Sequence, residues 1–204
     1  MFKTRLVTKL IGMQARTIAV LGVFAALIIA LNLSPLKVPA PYAPFLIYQV
    51  WEIPIVVAFF IYGGRIASAL AVLNTLALLI LFPGALPTGP LYNFAAVISM
   101  IAGLLLVKRF LPAKLKGKKE AIAVAGLTAS GIIMRTVVML VVNYSLLSYP
   151  PPVGFSLPQE VVVFYMPFIA LFNASLALYT ILGGYALARI VAPAATRIRA
   201  QPVP

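Results

Sequence analysis

Asn74, Asn93, Arg135, Asn143 and Asn173 are strongly polar residues set within largely apolar segments. An amide or a guanidinium inside hydrocarbon is costly unless it is hydrogen-bonded, so each marks a contact between helices or a binding site. Asn93 and Asn143 fall toward the outer ends of their segments and Asn173 near the middle of its own. Coming from three different segments, they can line one polar cavity open to the outside. Arg135 is the most expensive of the five. No acid is expected at its depth, so carbonyls, amides, a neighbouring subunit or an anionic ligand must satisfy it.

Several chemistries are excluded by residue type. The chain has no Cys and no His, which removes disulfides, thiol nucleophiles, imidazole metal sites and His-based triads. Its only acids are Glu52, Glu120 and Glu160. Catalysis by paired carboxylates would need Glu52 and Glu160 to converge near the outer surface. There is no Gly-rich phosphate loop ending in Lys and Ser or Thr, so any active transport must draw its energy from a partner or an ion gradient. The reading is therefore no enzyme, no metal and no cofactor.

The elements that must position these residues are membrane helices. The chain is 63% hydrophobic and 9% charged, more apolar than a soluble 204-residue domain can hide. We expect an all-α integral membrane protein, one domain over 1–204, with six transmembrane helices at about 17–33, 48–62, 66–82, 91–107, 121–147 and 160–188. The prolines of 34–44, 83–90 and 150–158 break the chain between spans. They predict ordered, extended outer loops that cap a pocket. The apolar run from Thr17 to Leu33 is long enough to span, and Pro39 and Pro41 spoil a cleavage site after it, so a retained first span is expected.

Charge placement fixes the topology. All but two of the sixteen Lys and Arg residues fall before the first span, after the last, or in alternate turns: Lys3, Arg5, Lys9, Arg16, Arg65, Lys108, Arg109, Lys114, Lys116, Lys118, Lys119, Arg189, Arg197 and Arg199. The exceptions are Lys37, in an outer turn, and Arg135. Basic residues stay in the cytoplasm during insertion, so both termini are expected there and the protein is expected in the plasma membrane as a multi-pass chain. The net charge of +13 sits in short loops and calls for no nucleic acid. Anionic lipid headgroups are the natural neighbours of those loops.

Two further patterns each carry two readings. The outer side is rich in aromatics, including Tyr42, Phe45, Tyr48, Trp51, Tyr92, Tyr144, Tyr149 and Phe155. These are either an interfacial belt or a stacking surface for a planar ligand. Gly22, Ala26 and Ala30 on the first span, and Ala121, Ala125 and Ala129 on the fifth, form small-residue stripes. Such stripes let another helix approach closely, from within the chain or from a separate membrane subunit.

Several short motifs resemble, in order and spacing, the substrate-binding S components of energy-coupling factor (ECF) vitamin transporters. They are Pro44, Phe45 and Leu46, then Ile53 and Pro54, then Gly63 and Gly64, at the first loop and second helix. The riboflavin-specific branch is most similar. Gly89 to Phe94 looks like its Gly-Glu-Leu-x-Asn-Phe, Asn143 and Tyr144 like its Asn-Tyr, and Phe172 and Asn173 like its Pro-Phe-Asn. Three positions depart: Pro90 stands where that branch has an acid, Leu176 where it has Lys, and Trp51 and Glu52 where it has two acids.

The resemblance implies six helices, cytoplasmic termini and an outer-facing pocket capped by the first loop. It also implies delivery of a vitamin, riboflavin first, through a separate membrane coupling subunit and two ATPase subunits. Phe45, Leu46, Tyr48 and Tyr92 would give apolar and stacking contact, and Asn93, Asn143 and Asn173 hydrogen bonds. Gly22, Ala26 and Ala30 would meet the coupling subunit. The alternatives are an S component for another vitamin or precursor, or a stand-alone secondary carrier with Glu52 as its ion-coupling group.

Overall fold

The computed structural model describes residues 2–81, 86–112 and 115–200. Pro83, Gly84, Ala85 and Lys114 lie outside them, as do the side chains of Lys3, Arg5, Lys9, Arg16, Arg197 and Arg199. The chain forms α1 (Phe2–Leu33), β1 (Lys37–Ala40), β2 (Ala43–Gln49), α2 (Ile53–Tyr62), α3 (Gly64–Leu81), α4 (Gly89–Lys108), α5 (Lys118–Leu146) and α6 (Gln159–Ala200). Among the described residues, four helices are long and apolar enough to cross a membrane: α3, α4, α5 and the Gln159–Pro193 part of α6. The apolar parts of the other two are shorter, Thr17–Leu33 and Ile53–Tyr62.

The main departure from expectation is an antiparallel β-hairpin where the Pro-rich first loop and the start of the second span were expected. Tyr48 and Gln49 complete β2, so the second helix begins at Ile53 rather than at 48. The hairpin descends beside α6. The Tyr42 ring stacks on Phe168 at 5.5 Å, Tyr48 Oη lies 2.8 Å from Ser175 Oγ, and Tyr179 Oη donates to the Gln49 carbonyl at 2.5 Å. From Phe168 to Tyr179 an α-helix rises about 16 Å. The chain therefore enters the bundle as a strand and finishes the descent as a short helix. The Tyr42 hydroxyl lies 2.6 Å from the Tyr48 hydroxyl, which ties the hairpin turn to β2 beside α6.

The first helix ends at matching depth. Asn32, at its last turn, donates to Asn74 Oδ1 at 2.8 Å. Asn74 lies about 15 Å along α3, whose whole rise is about 27 Å. Toward the basic end, Phe24 of α1 meets Tyr62 of α2 edge-on at 6.1 Å. Gly63 then turns the chain with φ +94, a conformation that favours glycine.

The hairpin and the late start of α2 divide the bundle into two regions. At the basic end the interior is solid: Ile55, Val56, Phe59, Leu70, Val97, Met100, Ile101, Leu104 and Ile181 form one buried cluster. At the hairpin end the interior is open. Close helix approach at Gly103 holds α4 against α5. A Cβ there would sit 2.5 Å from the Ser130 carbonyl oxygen, and the Ser130 hydroxyl already donates to the Gly103 carbonyl at 2.8 Å. Gly103→Ala should therefore destabilise the protein by about 1–3 kcal/mol, the usual cost of overpacking. Gly22→Ala, where a Cβ meets nothing within 4 Å, should leave the melting temperature in detergent unchanged. Equal melting temperatures for the two variants would contradict this packing.

Candidate functional site

The open region is a cavity of about 520 Å³ between the hairpin and helices α1, α3, α4, α5 and α6. Each element presents residues to it for a local reason. On α5, Gly131, Arg135, Met139 and Asn143 recur every fourth residue and share the buried face. Arg135, Met139 and Asn143 line the cavity over about 12 Å of that helix. On α4, Asn93 and Ala96 are one turn apart and follow Pro90, which suits the first turn of the helix. Phe172 and Asn173 of α6 and Asn32 of α1 complete the helical walls.

The hairpin is the remaining wall, with Phe45, Leu46, Ile47 and Gln49 lining it. Phe45 closes against the 148–158 segment, with its ring 5.9 Å from Phe155 and edge-on to Tyr165 at 5.1 Å. That segment is tied to α4 by hydrogen bonds from Thr88 to the Pro152 carbonyl and from Tyr92 Oη to the Val153 carbonyl, the latter at 2.8 Å.

Six of the seven residues expected at the substrate site line this one cavity: Phe45, Leu46, Tyr92, Asn93, Asn143 and Asn173. Tyr48 does not. Successive strand residues face opposite ways, and Tyr48 turns from Ile47 and Gln49 toward α6, where its ring packs on Phe172 at 4.8 Å. Its role in the structure is to seat the hairpin. Lys37, Asn32, Gln49, Ala96 and Met139 line the cavity without having been singled out as site residues. Asn32 carried the same polar-in-apolar signal as the other asparagines; the rest are identified only by the fold.

Arg135 corrects the largest error of expectation. Its partner is an acid. Glu52, placed near the outer surface by a span starting at 48, is carried into the bundle by the descending strand and is 3% exposed. Arg135 Nη1 donates to Glu52 Oε2 at 2.5 Å and Nη2 to Oε1 at 3.0 Å, and Nε donates to Asn173 Oδ1 at 3.1 Å. The second Nη1 hydrogen has the Met100 sulfur at 4.0 Å. A guanidinium has five N–H groups, so one on Nη2 remains unshared among the described residues. With its carboxylate engaged by Arg135 and Glu160 exposed at the start of α6, Glu52 forms no acid pair with Glu160.

The other polar groups have spare capacity too. Asn173 Nδ2 donates to the Ile169 carbonyl and Asn143 Nδ2 to the Met139 carbonyl, which leaves one N–H on each amide and the Asn143 carbonyl oxygen. Asn93 makes no hydrogen bond among the described residues. The cavity thus combines an apolar hairpin wall with a polar floor whose donors and acceptors are held in place and only partly used. That is the composition of a small-molecule site. No cluster of three His, Cys, Asp or Glu that could hold a metal ion occurs among the described residues.

Removing one partner of the buried pair should be severe. Arg135→Met leaves the Glu52 carboxylate unpaired and should cost about 3–5 kcal/mol, whereas joining Glu52→Leu to Arg135→Met should recover most of it. Thermal unfolding in detergent reads both variants. A double variant no more stable than the single would contradict the pairing.

No family model matches the chain, and no curated protein does. Its structure matches a solved chain described as the S component of a bacterial ECF transporter, with a TM-score of 0.60 and 17% identity. The match covers 92% of this chain and 99% of that one. The helices, the hairpin and the cavity between them therefore belong to a chain with the fold of a transporter S component.

Proposed function

We propose that the protein is the substrate-binding S component of an ECF-type importer. In this reading all six helices lie in the plasma membrane with both termini cytoplasmic, and the hairpin end faces out. It binds a vitamin from the outer side, riboflavin before others, and delivers it inward with a membrane coupling subunit and two ATPase subunits. The observation that carries the reading is the partly satisfied polar cavity at the hairpin end of a bundle with the S-component fold.

Two other features support it. Gly22, Ala26 and Ala30 are exposed on α1, and a Cβ at Gly22 would meet nothing within 4 Å, so the stripe is open to a helix from another subunit. Glu52 is bound by Arg135 through both oxygens, which argues against its acting as the ion-coupling group of a stand-alone carrier.

The physical action in this reading is binding and enclosure. Phe45 and Leu46 supply apolar contact from the hairpin, and Tyr92 lies at the α4 end of the wall. Asn93, Asn143 and Asn173 offer hydrogen bonds that the ligand's polar atoms complete. Titration of the purified protein with riboflavin, followed by flavin fluorescence quenching, should give saturable binding. Asn143→Leu should weaken it by about 1–3 kcal/mol, the cost of leaving a buried ligand group without a partner. An unchanged dissociation constant removes Asn143 from the site. Absence of binding by riboflavin removes the flavin reading.

A further inference from the structure

The charge that this cavity presents is all positive. Its lining includes Lys37 and Arg135 and no acid. The chain's three acids are accounted for elsewhere. Glu52 holds Arg135 from behind, Glu120 contacts Tyr185 and Arg189 on the far side of the bundle, and Glu160 is exposed at the start of α6. Arg135 is thus neutralised. Lys37 is not: its ammonium makes no hydrogen bond or ion pair among the described residues.

Lys37 is also deeper than an outer-loop residue should be. It pairs across the hairpin with Gln49, whose carbonyl accepts from Tyr179. It follows Asn32 by five positions, and Asn32 is bonded to Asn74 at mid-height of α3. Its side chain is exposed and borders the cavity, so its ammonium is free to meet an anion bound there.

From this we infer that the ligand carries an oxyanion, a carboxylate or a phosphate, that pairs with Lys37. The inference rests on the proposed transporter function and changes its first ligand: riboflavin itself is neutral, so a phosphorylated flavin or another anionic vitamin takes its place. A neutral amphipathic molecule would fill the asparagine floor and leave Lys37 unpaired. A cationic one would meet two positive side chains. A charge-assisted hydrogen bond is shorter and stronger than a neutral one, which gives an anionic form its advantage over the neutral form of the same molecule.

Matched probes test this. Riboflavin and riboflavin 5′-phosphate share a ring and differ by one phosphate. Biotin and biotinamide differ by one carboxylate. Dissociation constants for both pairs are measured on the wild type and on Lys37→Gln, at low and high salt. For a pair that binds, the anionic member should be at least about tenfold tighter. Lys37→Gln should abolish that preference while changing the neutral member's affinity by no more than about twofold, since it removes a charge the neutral probe does not use.

Equal or tighter binding of the neutral member overturns the inference and leaves the transporter reading standing. Equal loss of both members in Lys37→Gln does the same. Binding of the biotin pair alone, with biotin preferred, supports the oxyanion and overturns the flavin assignment. Failure of all four probes to bind overturns both.

Discussion

A carboxylate and a guanidinium, 83 residues apart in sequence, meet through two parallel hydrogen bonds inside an apolar bundle. Neither group is tolerable there alone. The bidentate geometry makes the pair possible, and Asn173 completes it from a third direction. Because Glu52 begins α2, Arg135 is mid-α5 and Asn173 is mid-α6, this contact joins the root of the hairpin to the two longest membrane-crossing helices. The cavity floor is built on it. Arg135, Asn173 and Asn143 all line the cavity and keep unused hydrogen-bonding capacity among the described residues.

The second constraint is backbone satisfaction. Non-helical chain at membrane depth is tolerable only where its peptide groups are bonded and where it borders protein or a cavity. In the hairpin the strands pair with each other, and Gln49, at the inner end of β2, gives its carbonyl to Tyr179, while β1 is exposed along Lys37–Pro39. Starting α2 late, at Ile53, creates the space, and the hairpin fills only part of it. The cluster around Phe59 and Leu104 closes the basic end. The cavity thus follows from one short helix.

The sequence made some of this legible. Asn93, Asn143 and Asn173 could be named because an amide in an apolar segment has few explanations, and they border one cavity. Phe45 and Leu46 were named through short motifs and border it too. The hairpin was not legible. The prolines at 35, 39, 41 and 44 signal broken helix without specifying strand, and a four-residue strand has little alternation to detect. Two errors followed from that omission. Tyr48 was assigned to the cavity because strand alternation was not considered, and Glu52 was placed at the surface because a helix starting at 48 would put it there. Once the hairpin is present, Glu52 is deep, Arg135 has its partner and Lys37 changes from a loop residue into an exposed strand cation that borders the cavity. Departures such as Leu176, buried beside Tyr48 and Phe172, and Pro90, in the first turn of α4, are packing and capping choices in this chain.

The central claim is that the cavity holds a small molecule. The most direct test is mass spectrometry of what the protein releases on denaturation after purification from vitamin-supplemented cells. Ala96→Trp, which fills the cavity from α4, serves as the control. The account predicts one vitamin released in near-equal amount to the wild-type chain and little or none from the filled variant. Equal release from both, or none from either, would contradict it.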